Sequence, residues 1–229
     1  MTVATQQQAR AHHPNFEGSP ARITNLRRKA LYHEDLGKIM SLVPEFELGL
    51  WNAWIFMVPS LLLMLLWLFV MTKKRAPAAG MRLSKTKLSF CLFSKLIYFA
   101  AVMYSVFLPL KLGTIWFYVG LPITLIGLVG SMVTVVNWAN TPAGELVTRG
   151  FYRFSRHPIY VTEVLLLLGV SIASASWIFL LFPIIVGVGA AYFIKMEEAQ
   201  CIGHYGNVYR EYMDRTPRWI GIPKSRKKD

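Results

Sequence analysis

The chain has 229 residues, 54% of them apolar and only 16% charged. A soluble domain of that length needs more charge on its surface. The net charge of +13 suits basic loops held near anionic headgroups. It does not suit a nucleic-acid binder, whose basic residues gather on one helix or domain, whereas these are scattered among loops.

Residues 1–47 are mixed polar, basic and acidic, with no early apolar core, so they do not read as a secretory signal. Residues 1–21 read as disordered. Residues 22–43 carry Ile23, Leu26, Ala30, Leu36, Ile39 and Met40 at near-helical spacing, which suggests a helix lying at a membrane interface. From Leu48 onward the chain changes character. No acidic residue occurs between Glu47 and Glu145. A first span is predicted over 48–71, with Trp51 and Trp54 as headgroup-level anchors. The loop to Lys87 holds six basic residues and no acid. A second span is predicted over 88–110. It contains Cys91 and also Lys95, for which a snorkelling structural role is expected. A third is predicted over 115–139, after the short connector 109–114. Each is long enough to cross a hydrocarbon core of about 30 Å.

A polar segment, 140–158, follows. A second apolar run, Val164–Ile194, has no charge in 31 residues. Ser174-Ala175-Ser176 reads as a turn inside it, giving a hairpin over 159–194 with two short arms that tilt or stay partly enclosed. Residues 195–229 form a basic tail, which contains Cys201. Two cysteines without CxxC spacing exclude a disulfide framework and a structural zinc site. The expected fold is all-α: a polytopic transmembrane bundle of about five spans. It divides into a polar segment 1–47, three transmembrane helices over 48–139, and a catalytic region over 140–229. Basic residues favour the 72–87 loop, the 140–158 segment and the tail, over the 109–114 connector and the turn. The positive-inside bias then puts the chemistry-bearing loops in the cytoplasm.

Ionisable residues of the C-terminal half fall into two clusters. One is Arg149-Gly150-Phe151-Tyr152-Arg153-Phe154-Ser155-Arg156-His157-Pro158-Ile159-Tyr160, with Glu163 after it. The other is Lys195-Met196-Glu197-Glu198, then His204-Tyr205-Gly206, Tyr209, Tyr212, Pro217 and Arg218. A hairpin that starts and ends on one side brings them together. The bland readings are headgroup-binding arginines, an interfacial tyrosine belt and a solvated helix end. An acid one turn into an apolar helix, as Glu163 is, usually pairs or serves a site.

The stretch Gly150-x-Tyr152-x-x-x-Arg156-His157-Pro158-x-Tyr160 resembles the signature of the isoprenylcysteine carboxyl methyltransferase and phospholipid N-methyltransferase superfamily. The tail, Glu197-Glu198 with Tyr205-Gly206-x-x-Tyr209-x-x-Tyr212 and Pro217-Arg218, is similar to the same family's C-terminal signature. The resemblance implies a membrane enzyme that moves a methyl group from S-adenosylmethionine to a lipid or other lipophilic acceptor. It implies cofactor binding by Tyr152, Arg156, His157, Pro158, Tyr160, Glu197, Glu198 and Tyr209. Such residue types fit the molecule: arginine grips a carboxylate, glutamate takes ribose hydroxyls or an amine, and aromatic faces favour a sulfonium. For the acceptor, Arg218 would orient a carboxylate, while Glu163, Glu198 or His157 would take a proton from an amine. Two positions depart from the family's pattern: Thr162 stands where members often have glycine, and Tyr205 where phenylalanine is usual. A second resemblance points elsewhere. Cys201, His204-Tyr205-Gly206 and the ending Arg218-Trp219-Ile220-Gly221-Ile222-Pro223 are similar to NADPH-dependent sterol reductases, which are longer and have more spans. A non-enzymatic membrane protein that keeps the scaffold is the third reading.

Overall fold

A computed structural model of the chain describes Thr24, Arg28, Lys29 and residues 48–70, 85–142 and 144–224, without the side chains of 85–91. The chain divides into two units, Met1–Ser41 and Leu42–Asp229. In the first, Thr24, Arg28 and Lys29 are helical and exposed; the rest of the expected interfacial helix lies outside the described residues. So does most of the basic 72–87 loop.

In the second unit the described residues form six α-helices and no strand: α1 (Trp54–Val70), α2 (Lys85–Val106), α3 (Ile115–Asn140), α4 (Pro158–Ala173), α5 (Trp177–Tyr205) and α6 (Asn207–Arg215), with a 3₁₀ turn at Gly150–Arg153. The first span therefore starts six residues later than the hydropathy suggested. Residues before Trp54 are held by another partner: the Ala53 N–H donates to the Leu108 carbonyl at 2.9 Å, and the Leu110 N–H to the Trp51 carbonyl at 3.1 Å. Helix α2 stops short of Pro109, since the residue before a proline is pushed out of the helical region. Ser176 caps α5, accepting the Phe179 N–H at 3.1 Å.

Helix α5 corrects an expectation. Its 29 residues do not end with the apolar run at Ile194. Nothing from Lys195 to Tyr205 breaks a helix, and the end comes at Gly206, whose φ of +59° suits a residue without a Cβ. At 1.5 Å per residue such a helix is about 44 Å long, longer than the roughly 30 Å of a hydrocarbon core. Among the described residues two helices, α3 and α5, are long and apolar enough to cross a membrane; α1, the 92–106 part of α2, and α4 are shorter apolar helices.

Helix α4 is the enclosed one. Large apolar side chains stand exposed on α1 (Leu62, Phe69), α2 (Leu92, Leu96), α3 (Ile115, Ile126) and α5 (Val188, Tyr192), but none on α4. It lies against α3 through small residues. A Cβ on Gly120 would come within 2.3 Å of the Ala173 nitrogen, and one on Gly169 within 2.3 Å of the Thr124 nitrogen. Between helices surrounded by lipid, such close packing drives association, because lipid tails are as apolar as leucine. Helix hydroxyls are satisfied locally: Thr124 donates to the Gly120 carbonyl at 2.9 Å and Ser171 to the Leu167 carbonyl at 2.7 Å. At one end of the bundle the Lys111 N–H donates to the Ala173 carbonyl at 3.0 Å. The 109–114 connector and the 174–176 turn therefore share that end, and the N-terminus of α4 lies at the other.

Candidate functional site

At that other end, four stretches of chain meet around one carboxylate. The turn before α4 supplies Arg156 and His157. Its local fold follows from two residues. Gly150 has φ +61°, and a Cβ there would come within 1.9 Å of Asn137 Nδ2. Pro158 sits at the start of α4, where its missing N–H costs nothing. The C-terminal part of α5 supplies Glu197 and Glu198. Helix α6 then turns the chain, and the segment after it pairs with the first turn. The Arg156 N–H donates to the Pro217 carbonyl and the Gly221 N–H to the Phe154 carbonyl, both at 3.0 Å. That pairing delivers Arg218 to Glu198.

Glu198 is buried and surrounded by positive charge. Arg156 Nη2 lies 2.9 Å from its Oε1. Arg218 binds it from the other side, Nη2 at 2.6 Å and Nε at 3.1 Å from Oε2. His157 Nε2 approaches Oε1 at 3.4 Å, and His157 Nδ1 stands 3.5 Å from Glu197 Oε2. The Tyr160 hydroxyl donates to the same Glu197 oxygen at 3.3 Å. The hydrogen bonds to Glu198 hold the Arg218 guanidinium above its ordinary pKa. Arg156 also donates from Nη1 to the Met213 carbonyl at 2.9 Å. Two buried nitrogens, Arg156 Nε and His157 Nε2, have no hydrogen-bond partner.

The expected residues fall into three groups. Arg156, His157, Tyr160, Glu197, Glu198 and Arg218 are together. Tyr209 and Tyr152 support them from behind. Tyr209 is buried with its ring 5.9 Å from that of Tyr212. Tyr152 enters through its carbonyl, which accepts the Tyr212 hydroxyl at 2.6 Å. Burial pushes the Tyr209 and Tyr212 hydroxyls up in pKa, so both stay neutral. Glu163 stands apart. It lines a cavity of about 120 Å³ between helices, with Trp67, Ser94, Lys95, Tyr98, Ser131 and Phe193 among its walls. Tyr160 lines it too, and so is common to both places. Thr162 does not enter the cavity. Its hydroxyl accepts from Ser131 at 3.0 Å, and its methyl lies 2.6 Å from where a Cβ on Gly130 would be. Glycine on α3 makes the room that the threonine needs.

Sequence reasoning missed Ser155, whose buried hydroxyl accepts the His157 N–H at 3.1 Å, and the carbonyl of Met213. Neither carries a sequence signal, since any residue has a carbonyl and serine is common before a turn. Lys95 was expected to snorkel. Its ammonium lies over the Trp67 ring, 5.0 Å from the centroid, among the cavity-lining residues.

Residues 110–208 match the family model described as phospholipid methyltransferase. The match contains all of α3, α4 and α5, with both glutamates of the cluster. It stops before Arg218. No curated protein matches the chain. Through this region the chain is similar to the phospholipid methyltransferase family, part of the integral-membrane methyltransferase superfamily that the two motifs resemble, and that family implies methyltransferase activity. Nothing supports the reductase reading.

Proposed function

We propose that the chain is a member of this superfamily and transfers a methyl group from S-adenosylmethionine to a lipid-like or lipophilic acceptor, at the cytoplasmic face of a membrane that it crosses about five times. One observation carries the reading: Arg156, His157, Glu197, Glu198 and Arg218 converge from separate stretches of chain and leave two buried nitrogens without a hydrogen-bond partner. Structural ion pairs close their own hydrogen bonds. Orphaned donors beside a buried carboxylate fit a site that a polar ligand completes.

The donor set suits the molecule. Arg156 and His157 offer nitrogens to a carboxylate. Glu197, partly exposed and already held by Tyr160, offers an acceptor to an amine or to ribose hydroxyls. Tyr160 offers a ring face to a cation. When bound, S-adenosylmethionine supplies an electrophilic methyl on a sulfonium. The protein's part is to hold Glu198 between two guanidinium groups, to fix His157 through Ser155, and to keep water from the site by the α6 cover. Positioning and dryness of this kind supply much of the rate in group transfer. The acceptor reaches the site from the apolar side, past Tyr160. A carboxylate acceptor would be oriented by Arg218, and a protonated one would lose its proton to Glu163. Glu198 and His157 are too engaged in the ionic cluster for that task.

The membrane reading rests on α3 and α5, on the shorter apolar helices beside them, and on the apolar side chains that they expose. The cytoplasmic reading rests on Arg149, Arg153 and Lys224 at the cluster's end. Purified protein in nanodiscs is expected to bind S-adenosylhomocysteine and to show no affinity for NADPH. Arg156→Ala and His157→Ala should each weaken that binding about a hundredfold, a loss of roughly 3 kcal/mol, with membrane insertion unchanged. NADPH binding without S-adenosylhomocysteine binding would overturn the proposal.

A further inference from the structure

The cavity beside the cluster has chemistry of its own. About 120 Å³ is close to the roughly 150 Å³ of apolar cavities that take up benzene. Its walls are aromatic and aliphatic: Trp67, Tyr98, Tyr160, Leu166 and Phe193. Into this apolar space two opposite charges project, Glu163 from α4 and Lys95 from α2, and each acts electrostatically on the other. Among the described residues no side chain hydrogen-bonds the Glu163 carboxylate. Of the hydroxyls nearby, Tyr98 is bonded to Ser60, and Ser131 donates to Thr162 at 3.0 Å.

With Glu163 ionised, the carboxylate and the ammonium leave the chamber with no net charge. A cationic ligand gains from Glu163 and loses to Lys95; an anionic ligand does the reverse. A neutral hydroxyl gains from both, donating to Glu163 and accepting from Lys95. Charge-assisted hydrogen bonds of this sort are about twice as strong as neutral ones. We propose that the cavity binds a neutral, hydroxyl-bearing apolar group of about the size of a phenol ring, held by Glu163 and Lys95 against the Trp67, Tyr98 and Tyr160 rings. The proposal rests on the methyl-transfer reading only in making this group the methyl acceptor; the binding itself is independent of it. In that role the O–H bond would break with its proton passing to the Glu163 carboxylate, and the oxygen's electron pair, held beside the Lys95 ammonium, would form the new O–CH3 bond as the methyl–sulfur bond of S-adenosylmethionine breaks, with S-adenosylhomocysteine leaving.

The test is fluorine NMR on the full chain in nanodiscs, with empty discs as reference. The probes are 4-fluorophenol, 4-fluorotoluene, 4-fluorobenzylamine and 4-fluorobenzoate. The phenol is expected to bind saturably, and each of the other three at least about tenfold more weakly, as the loss of one charge-assisted hydrogen bond predicts. Glu163→Gln and Lys95→Met should each weaken phenol binding by about the same factor while S-adenosylhomocysteine affinity stays within twofold. Equal binding of 4-fluorotoluene would make the cavity a plain apolar void and overturn the proposal. So would tighter binding of the amine or the carboxylate. If a variant fails to fold, the wild-type probe series decides alone. Phenol binding without S-adenosylhomocysteine binding would sink the methyl-transfer reading and leave the chamber standing.

Discussion

Glu198 shows what a single residue does here. Its carboxylate is buried, yet its charge is met by Arg156 and Arg218. A buried charge is tolerable only when paired. Removing the carboxylate leaves a guanidinium uncompensated, which typically costs about 3–5 kcal/mol. Glu198→Gln should therefore lower the thermal unfolding midpoint by several degrees as well as abolish cofactor binding. Arg218→Lys should weaken S-adenosylhomocysteine about tenfold, because an ammonium cannot reproduce the two-point contact of Nη2 and Nε with the carboxylate; an unchanged affinity would show Arg218 to be a surface ion-pair partner only. Tyr212 acts through its hydroxyl. Burial raises its pKa in the folded state. Its contribution to stability is therefore complete below the ordinary tyrosine pKa of about 10 and is lost as pH rises above that. Tyr212→Phe should cost about 1 kcal/mol at neutral pH, from the lost bond to the Tyr152 carbonyl, and should flatten the alkaline fall in stability. Chemical unfolding at pH 7 and pH 11 measures both. At this scale the motifs were legible because arginine, histidine and glutamate are rare in apolar sequence. The division of labour was not: Glu163 and Glu198 look alike on paper, and only their surroundings separate them.

Among the elements, α4 is decisive. It carries Glu163 on a face toward the cavity, follows the Arg156–His157 turn, and is covered on the α3 side by contacts that leave no room for a Cβ. Gly169→Val should push α3 and α4 apart. The added side chain meets the Thr124 backbone, where a Cβ would stand 2.3 Å from the nitrogen. Overpacking of a tight contact costs about 1–3 kcal/mol. The loss should appear as a lower unfolding midpoint in detergent, while Gly203→Val, where a Cβ has open space, should leave the midpoint nearly unchanged. Hydropathy located α3 within a residue, because threonine and asparagine bound a long uncharged run. It misjudged α1, whose first residues are tied to the chain around Leu108. It also cut α5 short, because it ended the helix where the apolar residues ended. From Lys195 to Tyr205 the helix propensity of the residues, not their hydropathy, carries the helix on.

For the whole molecule, the positions of the two ends carry the prediction. The 109–114 connector and the 174–176 turn lie at one end, and the ionic cluster at the other. In a background without Cys91 and Cys201, Leu112→Cys and Ile222→Cys are both exposed positions. An impermeant thiol reagent applied from the cytoplasmic side is expected to label the second and not the first. Labelling of both from one side would rule out the spanning arrangement, and labelling of Leu112→Cys alone would invert it.

The apolar runs, the lack of acid from Leu48 to Gly144 and the two ordered motifs were in the sequence. They determined an all-helical, membrane-suited chain, because helix formation and lipid compatibility depend on local composition, and they carried the family resemblance. Tertiary structure alone decided that Arg218 closes on Glu198, twenty residues away, and that Lys95 and Glu163, on different helices, line one cavity. Pairings of that kind depend on how helices pack and where the tail returns, and residue spacing along one chain does not contain them.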